Sequence, residues 1–141
     1  MNDMRNDRLQ FTRDYQKKIP FVSHLKILTE SLGEGTARLS LPIEPRLTNS
    51  LGTVHGGAIM SLLDVAVCTA ARTLHPASLG VVTIDLSASF VDGGRGARLY
   101  ADARVLKDTR SMTFVEGEAK NEDGSIVAKV IATVKVRHAK P

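Results

Sequence analysis

At 141 residues, with 43% hydrophobic and 24% charged side chains, the chain has the size and balance of one globular domain, not of a disordered or low-complexity protein. No apolar run reaches the roughly 18 residues of a membrane span, and Met1 to Arg13 lacks a signal peptide's apolar centre, so a cytoplasmic protein with no membrane partner is expected. The net charge of +4 is scattered among 4% aromatics, without a helix-turn-helix or zinc-finger pattern, which argues against nucleic acid as a partner.

Asp7 to Lys18 is polar, with Leu9, Phe11 and Tyr15 as apolar anchors, and predicts a short N-terminal helix that stops before Pro20. Residues 1–20 read as a helical extension ahead of a domain over 21–141. Leu25 to Ser31 reads as a strand, Gly33-Glu34-Gly35 as a turn, and Thr36 to Leu41 as the return strand of a hairpin. The run from Gly33 to Arg38 half resembles a dinucleotide fingerprint, but it lacks the third glycine and no helix pattern follows. Pro42 and Pro45 are expected to forbid regular structure.

The next stretch organises the chain. Thr48 to Gly57 is a polar loop that tightens through glycines and runs into an apolar helix, Ala58 to Arg72. A helix that is apolar all round is a buried helix. It carries one acid, Asp64, which must find a partner, stay protonated or face a cleft. Cys68 reads as a small core residue and, as the lone cysteine, excludes an intramolecular disulfide. Unpartnered N–H groups and a partial positive charge mark the helix start. Gly56 and Gly57 have no Cβ, so a carbonyl oxygen or an anion can approach the backbone there. The plainer reading is that they only permit a tight turn; Asp64 turns the pair into a two-part site, an electrophile binder and a base.

Seven residues separate Gly57 from Asp64, so they share a helix face to within roughly 20° but lie about 10 Å apart along the axis. Both cannot easily flank one carbonyl, whose oxyanion donors must sit within about 3 Å. Two antiparallel copies of the helix related by a twofold axis would bring Asp64 of one beside Gly57 of the other, which suggests a site shared between subunits.

After His75-Pro76 four strands are expected. In Val81 to Val91, Val82, Ile84, Leu86, Ala88 and Phe90 alternate with Thr83, Asp85, Ser87 and Ser89. Residues 92–96 form a glycine-rich loop. Ala97 to Lys107 sets Leu99, Ala101, Ala103 and Val105 against Arg98, Tyr100, Asp102 and Arg104. Ser111 to Lys120 follows, then a turn at residues 121–124, then Ile126 to Val136 with Ile126, Ala128, Val130, Ala132, Val134 and Val136 on one face. This is an α+β chain: two strands, one buried helix and an antiparallel meander. Its many Ala and Gly residues suit a sheet lying close on a helix. The four histidines have no ligand spacing, so no metal is expected.

Asn49-Ser50-Leu51-Gly52-Thr53-Val54-His55-Gly56-Gly57, followed by Leu63-Asp64, resembles the hotdog-fold thioesterases, in the branch named after the phenylacetic-acid-pathway thioesterase. Val82 to Leu86, Ala103-Arg104-Val105 and Asp123-Gly124 carry the resemblance further, so that it covers Phe21 to Val136. It implies a curved antiparallel sheet wrapped around the long helix, a homodimer formed edge to edge and often a dimer-of-dimers tetramer. It also implies hydrolysis of acyl-coenzyme A thioesters to free acid and coenzyme A without a cofactor. By the resemblance, the Gly57 N–H is the oxyanion donor, Asn49 orients the thioester, Asp64 is the general base or the nucleophile, and Thr83 helps hold the attacking water. His55 is expected to buttress the loop, and Gly56 to line the substrate site. Arg95, Lys107 and Arg110 are candidates for the coenzyme A phosphates, against the plainer reading of solvated loop charges. Two rivals stand beside this: a non-catalytic acyl-CoA sensor, which needs an added output module where Met1 to Pro20 is too short for a DNA-binding domain, and a hotdog hydratase or dehydratase, whose His-acid motifs are absent.

Overall fold

The computed structural model describes residues 2–141; Met1, the first residue of the expected extension, lies outside them. Two helices lead the chain, α1 (Asn2–Lys17) and α2 (Pro20–Leu25). A hairpin of β1 (Leu28–Gly33) and β2 (Thr36–Pro42) follows, and then the long helix α3 (Gly56–Arg72). The remaining strands are β3 (Gly80–Phe90), β4 (Arg98–Asp108), β5 (Met112–Lys120) and β6 (Ile126–Arg137). All pairings are antiparallel, in the order β1-β2-β4-β5-β6-β3, so β1 and β3 are the two edges. With α3 packed against the sheet, this is the hotdog arrangement.

Burial follows the side-chain periodicities. On α3, Leu62, Leu63, Ala66, Val67, Ala70 and Ala71 are fully buried, meeting Leu39, Leu99, Val115 and Val134 from the sheet. The close approach needs small residues. A Cβ on Gly117 of β5 would come within 3.2 Å of Val130 and 3.4 Å of Val67, so a side chain there would press the neighbours back by a few tenths of an ångström, and glycine lets the helix seat closely. At the other side of α3, Gln16 of α1 is buried and ties two elements together. Its amide nitrogen donates to the Thr69 hydroxyl (3.0 Å) and its oxygen accepts from the Thr29 hydroxyl (2.6 Å).

The structure corrects several local expectations. The N-terminal helix already runs from Asn2, and Pro20 opens a second helix instead of ending helical structure. Proline suits the first helical turn, where its missing N–H would have no partner in any case. Leu25 therefore belongs to α2, and Lys26, in the left-handed region at φ 59, turns the chain so that the strand begins at Leu28. Pro42 is part of β2, and Pro45–Leu47 forms a short 3-10 turn. Pro42 is tolerated because Ile43, not Pro42, donates toward the β4 side, to Ala97, while β1 pairs no further along β2 than Ser40.

Two bulges break the regular alternation. In β6 the pairing skips Val127, so Val127 and Ala128 are both buried while Ile126 is 42% exposed. In β3 the pairing passes from Thr83 to Asp85 and skips Ile84. A bulge shifts the side-chain phase by one. Thr83 thus joins the helix side with Leu86 and Ala88, whereas Val82 and Ile84 are exposed, against the uninterrupted alternation expected from the sequence.

Candidate active site

The loop before α3 is held by its own side chains. The Asn49 carboxamide oxygen accepts from the backbone N–H of Leu51 (2.9 Å) and of Thr53 (3.2 Å), while its nitrogen donates to the Thr53 hydroxyl (2.9 Å). This is the chemistry of an Asx turn, and it engages the amide within the loop. His55 is the N-cap of α3. Its Nδ1 accepts from the Gly57 N–H at 2.9 Å, so in this arrangement Nδ1 carries no proton. The His55 carbonyl takes the N–H groups of Ala58 and Ile59. Gly57, expected as the oxyanion donor, is thus capped by its own chain, and the Gly56 N–H has no acceptor among the described residues.

Two turns into α3, Asp64 is only half-buried, although the helix around it is apolar. It has found a partner. The Thr83 hydroxyl donates to Asp64 Oδ1 at 2.6 Å, across from β3. The bulge at Ile84 makes this contact possible by turning Thr83 toward the helix. The Cys68 thiol, one helical turn beyond Asp64, lies 3.1 Å from the same Thr83 oxygen. Burial pushes this thiol up to about 11; the Thr83 hydrogen bond opposes the shift and the Asp64 charge adds to it. A thiol so poised is protonated at neutral pH and is no nucleophile. By sequence alone Cys68 reads as core filler; its spacing of four from Asp64, which puts both on one helix face, is the signal that links them.

The structure thus brings Asp64 and Thr83 together, and His55 and Gly57 together. It separates the candidate phosphate binders. Arg95 precedes β4, with its guanidinium 3.4 Å from Asp92, while Lys107 and Arg110 lie at the far end of that strand. Eleven strand residues span about 35 Å, at about 3.3 Å each, so one chain cannot bring both ends to one phosphate. A cavity of about 620 Å³ lies elsewhere, between α1 and the end of α3, lined by Arg8, Phe11, Leu32 and Arg72. Asp64 lies on the open side of α3 and not in that cavity. Among the described residues no group of three or more His, Cys, Asp or Glu could hold a metal ion, and no helix is long and apolar enough to cross a membrane.

A curved sheet around one helix, with a lone hydrogen-bonded acid on that helix and a glycine pair at its start, defines a class that comparison with known proteins identifies. Residues 51–128 match the model of the thioesterase superfamily, and the chain belongs to that family. Among its relatives, a Halobacterium salinarum protein carrying an esterase name is 34% identical over 72% of this chain and 70% of its own. The medium/long-chain acyl-CoA thioesterase of Salmonella typhimurium is 27% identical over 84% of this chain and 86% of its own. A thioesterase family protein from Silicibacter pomeroyi has a similar structure, with a TM-score of 0.84 and 27% identity, covering 90% of this chain and 96% of that one.

Proposed function

We propose that the protein hydrolyses acyl-CoA thioesters to the free acid and coenzyme A. The observation that carries this reading is the Asp64 carboxylate, held at Oδ1 by Thr83 and with Oδ2 unpaired among the described residues. Membership of the thioesterase superfamily and the acyl-CoA thioesterase among the relatives support the choice of substrate. The thioester oxygen would sit against the N–H groups at the start of α3. Gly56 offers a donor with no acceptor among the described residues, and Gly57 offers a second once the arriving carbonyl displaces His55. Such donors, backed by the helix dipole, stabilise the charge that grows on the oxygen. Asp64 Oδ2 takes a proton from water as the water oxygen bonds to the carbonyl carbon; the C–S bond then breaks and the thiolate leaves with that proton. Direct attack by Oδ2 would instead give an anhydride that water opens. In this reading Asn49 acts by shaping the loop that presents the thioester.

The site is read as shared between two chains. Helix α3 and strand β3 run in opposite directions: a Cβ on Gly56 would lie 3.6 Å from the Phe90 ring, while Asp64 meets Thr83. β3 is a sheet edge carrying the exposed apolar side chains Val82, Ile84 and Phe90. Such an edge invites a strand from a second chain. A twofold axis that pairs two β3 edges antiparallel brings the Thr83 end of one chain to the Phe90 end of the other, and so Asp64 to the partner's helix start. It also brings the ends that carry Lys107 and Arg110 toward the partner's Arg95 end, which supports a composite cradle for the coenzyme A phosphates. Pairs of such homodimers would make the tetramer. In this reading residues 2–20 are an extension packed on a domain of residues 21–141.

The test is thiol release from a panel of acyl-CoAs of graded chain length. Turnover on at least one of them, lost in Asp64→Asn, is the expected outcome. A homogeneous folded protein that releases no thiol from any of them overturns the reading.

A further inference from the structure

The Cys68–Thr83–Asp64 chain has a direction, and the direction gives the single cysteine a task. In the 2.6 Å contact the Thr83 hydroxyl donates to Asp64 Oδ1 and so spends its one proton there. Only lone pairs remain on Thr83 Oγ1. The Cys68 sulfur, 3.1 Å away, can bond to that oxygen only by donating. The chain therefore runs S–H to O–H to carboxylate.

We propose that Cys68 is a positioning residue of the Asp64 site, its thiol donating to Thr83 so that Thr83 is committed as a donor to Asp64 Oδ1. The proposal rests on the reading of Asp64 as the group that activates water or attacks the thioester. A thiolate in this place would accept the Thr83 proton and pull it away from Asp64; the burial that keeps the thiol protonated keeps the polarity fixed. Thr83 is β-branched and stiff at χ1. Held from one side by Asp64 and from the other by Cys68, its hydroxyl keeps Oδ1 occupied and Oδ2 turned to the substrate side. Cys68 touches no reacting atom and acts through Thr83.

The ordinary alternative is that Cys68 is a small apolar filler in the partly buried face of α3. Filling and donating make opposite demands on replacements. Valine fills the space without a donor; serine donates without the apolar volume. In steady-state hydrolysis of the best acyl-CoA, Cys68→Val is expected to lower kcat by about 3- to 10-fold, the effect of losing one hydrogen bond, with little change in KM. Cys68→Ser is expected to recover most of that loss, and Cys68→Ala to behave as valine does if the bulkier variant folds poorly. Full kcat in the valine variant with loss in the serine variant makes the thiol a filler and overturns the proposal.

A second measurement does not depend on turnover. Because the chain has one cysteine, its S–H stretch gives one infrared band, in a window that backbone amides leave clear. Thr83→Val should move that band toward the position of a thiol without an acceptor. A band that does not move overturns the proposal at any level of activity. A band that moves, in a protein that hydrolyses no thioester, supports the donor chain and condemns the reading of the reaction.

Discussion

On one side of α3, Leu62, Leu63, Ala66, Val67 and Ala70 are wholly buried against the sheet; on the other, Gly57, Asp64 and Cys68 stay partly open. The two sides share one backbone and answer to different constraints. The closed side is set by volume: Gly117 and the alanines of β4 and β6 exist there because the helix must come close. The open side is set by hydrogen bonds with a sense of direction, from thiol to hydroxyl to carboxylate and from Gly57 N–H to His55. Damage to the first should cost stability and spare chemistry, and damage to the second the reverse.

The largest expected effect is on the open side. Asp64→Asn keeps an oxygen that can accept from Thr83 and removes the carboxylate proposed as base or nucleophile, so kcat should fall by about 10²- to 10⁴-fold. Thermal melting should barely change. Near wild-type thiol release by this variant would remove Asp64 from the chemistry. On the closed side, Leu63→Ala should cost about 2–5 kcal/mol in urea unfolding, because it empties a fully buried site. Its folded fraction should turn over at close to the normal rate; a large loss of kcat per folded molecule would join the two sides and break the contrast.

Whether the open side is completed by a second chain is tested by mixing two inactive variants, Asp64→Asn and Gly57→Val. In a mixed dimer one site collects both lesions and the other has none. Random exchange makes about half the dimers mixed, each with one intact site of two, so activity should return to roughly a quarter of wild type. Tagged copies that co-purify establish that subunits exchange. Exchange with no recovered hydrolysis places both residues in one chain's site and would falsify the shared-site reading.

A smaller effect follows from the raised thiol. Cys68 moves from an ordinary value of 9.0 to about 11 in the folded protein. Above pH 9 the unfolded chain loses this proton while the folded chain retains it, so stability falls as pH rises from 9 to 11. Near pH 10 the loss is on the order of 1 kcal/mol, at about 1.4 kcal/mol per unit. Denaturant titrations of wild type and Cys68→Ser across that range should show the difference; parallel curves would mean that the thiol feels no burial. The smallest effect concerns His55. In the proposed reaction its ring competes with the substrate carbonyl for the Gly57 N–H, so His55→Ala should lower KM by about threefold or less, the worth of one exposed hydrogen bond. A kcat that collapses instead would give the imidazole a direct part in the chemistry.

Much of this was legible in the residues because it is local. The glycine pair before an apolar helix, one acid within it, and the seven-residue spacing between Gly57 and Asp64 all lie within one continuous stretch. The alternation of Leu99, Ala101 and Ala103 marks β4 without reference to any neighbour. The cap by His55 is local too, two residues from its donor, yet a lone histidine is compatible with many roles until its ring is placed. What only the tertiary structure decided depends on partners far along the chain. The pattern of β3, read alone, puts Val82 and Ile84 on the core side and Thr83 on the other. Pairing with β6 places the extra residue at Ile84 and reverses that phase, which turns the Thr83 hydroxyl to Asp64 and leaves Val82 and Ile84 at an open edge. Cys68 is a core residue by composition and a hydrogen-bond donor only because that reversal brings an acceptor to it. A bulge is a property of two strands together, set by which pairing buries the most and leaves the fewest backbone groups unmatched, and no window along one strand contains it.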